Sequence, residues 1–210
     1  MMYVIILFVM TVCLGPNNSL AMNSYQAGET VIGEEYNEIL KTWVDRSFSM
    51  WIFVDEGGKV YLSFSGDTGF GTATVSGLYD QAEVDKIEQY LLTSREWALV
   101  AKKNRVDTSK ALGCYPDARF LTCERDGVPH GENQLGLRFF ASNDGQRSRL
   151  IIDMADQRNR YKRATIYFEL PEIDALTKNV RLIRETMNKA KETASKQKLF
   201  RPVPKHTPKD

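Results

Sequence analysis

The chain predicts an α+β fold: antiparallel sheet with helices on one face, built as two tandem β-β-β-α units plus an N-terminal helix. Three observations carry this expectation. Short β-rich runs are separated by Gly, Asn and Asp turns; two later segments space their apolar residues three or four apart; and strands precede a helix in both halves of the 210 residues.

Residues 1–21 read as a cleaved signal peptide. An apolar run from Met1 to Leu14 is followed by Gly15-Pro16, and Ser19-Leu20-Ala21 supplies the small residues a signal peptidase accepts. The run is shorter than the roughly 20 residues a bilayer requires, so no membrane span is expected after cleavage. Residues 34–48 place Tyr36, Ile39, Leu40, Trp43 and Val44 at helical spacing and predict the N-terminal helix.

The first unit occupies the rest of residues 22–103. Runs at 50–54 and 59–65, joined by Asp55-Glu56-Gly57-Gly58, form a hairpin, and 70–76 is a third strand. Asp80 and Glu83 form a capping box, opening a helix that carries Val84, Ile87, Leu91 and Ala98 and ends near Lys103. The second unit, residues 135–195, repeats the order. Strands at 137–141, 149–154 and 163–170 precede a helix that starts at Pro171 and carries Ile173, Leu176, Val180, Ile183, Met187 and Ala190. The match rests on element order, since residue identity between the halves is slight. Residues 104–134 form a long connecting loop, and residues 196–210 a basic, proline-containing tail.

Cysteine use agrees with export. Beyond the leader only Cys114 and Cys123 occur, with eight residues between them, and in an oxidising compartment they are expected to form a disulfide within the connecting loop. Charge is uneven. Residues 22–140 carry 12 basic and 18 acidic side chains, and residues 141–210 carry 16 and 9. The halves either compensate each other or the basic half meets an anionic partner.

Catalytic motifs fare poorly. The stretch SFSGDTGFGT contains Asp67-Thr68-Gly69, the tripeptide of aspartic proteases, but its lead-in is polar and no second copy exists. Gly66, Gly69 and Gly71 instead mark a strand connection. Two histidines, His130 and His206, limit nucleophilic catalysis, and no Gly-x-Ser-x-Gly elbow is present. The cysteine and histidine spacing fits no compact zinc module, and the glycines fit no nucleotide-binding loop, so neither metal nor cofactor is expected.

These constraints predict a periplasmic or secreted, non-enzymatic binding protein. It would serve as an envelope or secretion-system accessory, or as an inhibitor or immunity protein, and its partner would be a protein or an anionic envelope component rather than nucleic acid. The contact surface is expected at Tyr115, Arg119 and His130 of the disulfide loop and at Arg158, Arg160, Tyr161 and Arg163 in the turn before the last strand. A small envelope hydrolase using scattered carboxylates is the alternative.

Overall fold

The computed structural model describes residues 23–54, 59–78, 81–115, 126–159 and 161–199. Among these residues nine strands and two long helices follow in the order β1 (Asn23–Gln26), β2 (Val31–Asn37), β3 (Thr42–Val54), β4 (Val60–Asp67), β5 (Thr72–Leu78), α1 (Gln81–Asn104), β6 (Thr108–Tyr115), β7 (Gln134–Ser142), β8 (Arg147–Ala155), β9 (Arg163–Phe168) and α2 (Leu170–Leu199). All strands belong to one antiparallel sheet in the order β5-β4-β3-β2-β9-β8-β7-β6, with β1 pairing the second half of β3.

This architecture corrects the expected fold class in two respects. First, there is no N-terminal helix over residues 34–48, because the segment is the β2–β3 hairpin. Tyr36 stands opposite Trp43, and their seven-residue separation mimics two helical turns while in fact crossing a reversal. Asn37 makes that reversal by accepting the Ile39 and Leu40 amides on its side chain, and Lys41 takes a φ of 51°. Ile39 and Leu40 are left exposed at the apex.

Second, the halves are not tandem units with helices set on one face. β2 from the first half pairs with β9, the last strand of the second, at Glu34 and Tyr167. Both halves therefore share a single curled, half-barrel sheet. Gly33 permits the joint, since a Cβ there would lie 2.6 Å from Ile166 and 2.7 Å from the Tyr167 carbonyl oxygen. On the outer face Arg149 reinforces it. Its guanidinium bonds Glu34 at 2.8 Å and lies 4.1 Å over Trp43, which packs edge-on against Tyr167.

The curl brings β5 back towards the other half. Asp156 Oδ2 accepts the Thr74 amide at 2.9 Å, the Gln157 amide donates to the Thr74 carbonyl, and Asn133 bonds both the amide and carbonyl of Ser76. Gly66 on β4 faces Met154, Ala164 and Ile166 across the interior.

The inner face buries alternate residues of each strand. Phe48, Met50, Ile52 and Val54 come from β3, Val60, Leu62 and Phe64 from β4, and Ala164, Ile166 and Phe168 from β9. Both helices pack into this cluster. α1 contributes Val84, Ile87 and Leu91, and α2 contributes Ile173, Leu176, Val180, Ile183 and Met187. The helices run antiparallel, because Glu88 pairs with Arg181 and Arg184 whereas Arg95 pairs with Asp174 further along α1 and earlier on α2.

Several expectations fall on other residues. The leader, Asp80 of the capping box, Arg119, Cys123 and Arg160 lie outside the described residues. Within the expected connecting loop the chain forms β6, and helix α2 continues to Leu199, into the segment expected as a tail.

Candidate functional site

Antiparallel pairing sends every other connection to the same end of the sheet. Three turns share one rim: residues 38–41 between β2 and β3, 68–71 between β4 and β5, and 156–162 between β8 and β9. The described part of the β6–β7 connection, residues 126–133, joins them there, since Gln134 is registered with Ala155.

Each turn is held by short-range hydrogen bonds. Asp67 accepts the Gly69 amide at 2.7 Å, and Thr68 and Gly71 close the turn with Gly69 and Gly71 at φ 77° and 132°. In the 156–162 turn, Asp156 Oδ1 accepts the Arg158 and Asn159 amides, while the Lys162 amide donates to the Asn159 carbonyl. The loop at 126–133 is tied by Gln134, whose side-chain oxygen accepts the His130 and Gly131 amides. The turns are also linked to one another. Arg163 bonds the Pro129 carbonyl at 3.1 Å, Arg46 bonds Glu35 at 2.6 Å and lies 3.9 Å from Asp67, and Lys162 Nζ lies 3.5 Å from where a Gly71 Cβ would be.

Apolar side chains project from this hydrogen-bonded frame. Phe70, at the apex of its turn, is 101% exposed; Ile39 is 89%, Tyr161 79% and Leu40 65% exposed. Among the described residues these are the most exposed large hydrophobic side chains, and all stand on one rim. Exposed apolar groups gathered at one end of a sheet point to an interaction surface more than scattered ones do. Around them are Arg158 and Arg163, both exposed, and the half-buried Lys162.

The expected contact residues divide accordingly. Arg158, Tyr161, Arg163 and His130 come together on this rim. Tyr115 is buried in the core instead, its ring edge-on to Phe64 at 5.0 Å, and burial pushes its hydroxyl pKa up. Cys114 is buried at the end of β6. Phe70, Ile39, Leu40 and Lys162 were not among the expected contact residues. Phe70 looked like part of a strand, and Ile39 and Leu40 looked like a helix face; the one available signal was a bulky apolar residue between turn formers.

His130, Asp126 and Asp67 are engaged structurally. His130 Nε2 lies 2.7 Å from Asp126 Oδ2. The Val128 amide, then the His130 ring, holds the Asp126 carboxyl below its usual range. Asp67 faces Arg46 rather than a second carboxylate. Among the described residues no group of His, Cys, Asp or Glu has the arrangement to hold a metal ion.

Comparison of the chain with protein-family models, curated proteins and solved structures finds no match.

Proposed function

We propose that the protein is an exported, non-enzymatic binding protein that engages a protein or an anionic envelope component through the rim formed by residues 38–41, 68–71, 126–133 and 156–162. The observation that carries this reading is the exposure of Phe70, Ile39, Tyr161 and Leu40 on turns held by hydrogen bonds. Pre-ordered apolar tips lose little conformational freedom on binding, which favours recognition. Arg158 and Arg163 beside Tyr161 add a local preference for negative charge.

The hydrolase alternative finds less support. A glycosidase-type site needs two carboxyl groups about 5–10 Å apart in a pocket. The crevice beside α1 and β6, of 220 Å³, is lined by one ionisable residue, Lys110.

Export and the Cys114–Cys123 disulfide belong to the same proposal. Mass spectrometry of the mature chain under non-reducing conditions is expected to show cleavage after Ala21 and a mass lower by two hydrogens than the dithiol form; free thiols refute the disulfide. The binding reading is tested by pull-down from envelope extract, comparing the wild type with Phe70→Ala/Tyr161→Ala and with Arg158→Glu/Arg160→Glu. Capture lost in either double variant supports it. Capture that is absent, or unchanged in both variants, overturns it.

A further inference from the structure

The two edges of the sheet are finished differently. On β5 the amide and carbonyl groups of Thr74 and Ser76 are taken up by Asp156, Gln157 and Asn133, so this edge is closed to another strand. β6 is the opposite edge. Among the described residues β7 is its one strand neighbour, and an edge strand directs the amides and carbonyls of alternate residues outward.

An apolar crevice of 220 Å³ lies beside the first half of β6. Trp97, Val100 and Ala101 from the last turns of α1 line it with Val106, and Thr108 and Lys110 fringe it from β6. Thr108 and Lys110, two residues apart, stand on the same face of the strand, the face turned to α1. Val100 and Val106 are each about half exposed at the opening. The surrounding charge has one dominant sign. Residues 102–110 carry Lys102, Lys103, Arg105 and Lys110 against one acid, Asp107, whose carboxylate accepts the Asp144 amide.

We infer that β6 and this crevice form a strand-addition site for an extended acidic segment of another protein, one with apolar side chains at alternate positions. Backbone pairing to β6 gives such a segment affinity without demanding a particular sequence. Its alternate side chains on the α1 side enter the crevice, and its carboxylates meet Lys110 and the cations at the end of α1. A second copy of the chain is the wrong occupant, since two-fold pairing of β6 with itself sets these same cations against one another. The site lies at the rim opposite the turns described above, so it stands independently of the proposed function.

The test uses the full chain and three fluorescent octapeptides: alternating Val and Glu, alternating Val and Lys, and the Val/Glu peptide with alternate amides N-methylated. Saturable anisotropy with the Val/Glu peptide is expected, with the other two binding at least about tenfold more weakly. Lys110→Glu, an exposed substitution whose thermal midpoint serves as the folding control, is expected to reverse the preference between the Glu and Lys peptides. The inference is overturned if the Val/Glu peptide does not saturate, if N-methylation has no effect, or if Lys110→Glu binds both charge types as the wild type does. A concentration-dependent wild-type dimer that Lys110→Glu strengthens also overturns it, because β6 would then serve self-association.

Discussion

Asp67 shows how little a tripeptide says apart from its surroundings. Its carboxylate accepts the Gly69 amide and faces Arg46, so it organises a turn. Asp67→Asn keeps an oxygen acceptor there, and its stability is expected to stay within about 0.5 kcal/mol of the wild type in urea titration, with binding intact. Loss of binding in that folded variant would return the residue to a functional role. Gly66 behaves oppositely. A Cβ there would lie 2.7 Å from Met154 Sδ and 3.2 Å from Ile166, so Gly66→Val is expected to cost about 1–3 kcal/mol by overpacking. Phe70→Ala, at a fully exposed apex, should leave the unfolding midpoint unchanged; a clear fall would mean that the ring packs within the fold and is not a free tip.

The elements of the second half were the more legible. Residues Ile173, Leu176, Val180, Ile183 and Met187 all face the core, as their spacing requires, and the Asn143-Asp144-Gly145 turn takes the left-handed backbone those residues tolerate. The β2–β3 hairpin was illegible for a definite reason: Tyr36, Ile39, Leu40, Trp43 and Val44 satisfy a helical period, while the strands β4 and β9 that flank the hairpin and reward the extended alternative lie outside the segment. Between α1 and α2, Glu88 links the helices. Its pKa is held below the ordinary 4.5 first by the hydrogen bond from Arg181 and then, against the opposing effect of burial, by Arg184. A depressed carboxylate stabilises the fold at pH above 4.5 and loses that contribution as pH falls through its folded value. Glu88→Gln is therefore expected to lower the urea midpoint at pH 7 and to show a smaller difference from the wild type at a pH well below 4.5. An equal difference at both pH values would locate the effect in packing instead.

At the scale of the molecule, interleaving decides cooperativity. Tandem units would unfold separately, whereas one sheet joined at β2–β9 and clasped at Asp156 and Asn133 should unfold in one step. Far-UV dichroism and tryptophan fluorescence are expected to give coincident denaturant transitions. Two resolved transitions would argue that the halves are autonomous. The same topology creates the candidate site, because turns from both halves meet on one rim only when the strands share one sheet. Arg158, Tyr161, Arg163 and His130 could be singled out as basic or polar loop residues. That Phe70, Ile39 and Leu40 accompany them could not, since all three occupy stretches whose local pattern points to regular secondary structure.

The sequence by itself determined where most strands and both long helices lie, because period-two and period-3.6 alternation is a local property that burial of one face enforces. Only the tertiary structure decided that residues 34–48 form a hairpin, that β2 joins β9, and that among the described residues β5 is clasped by the other half while β6 has β7 as its one strand neighbour. Beyond the local pairing of the hairpin, these depend on contacts between residues more than fifty positions apart, such as Ser76 with Asn133, Thr74 with Asp156 and Glu34 with Tyr167. Their free energy comes from burying two halves against each other, and no window of neighbouring residues contains both partners.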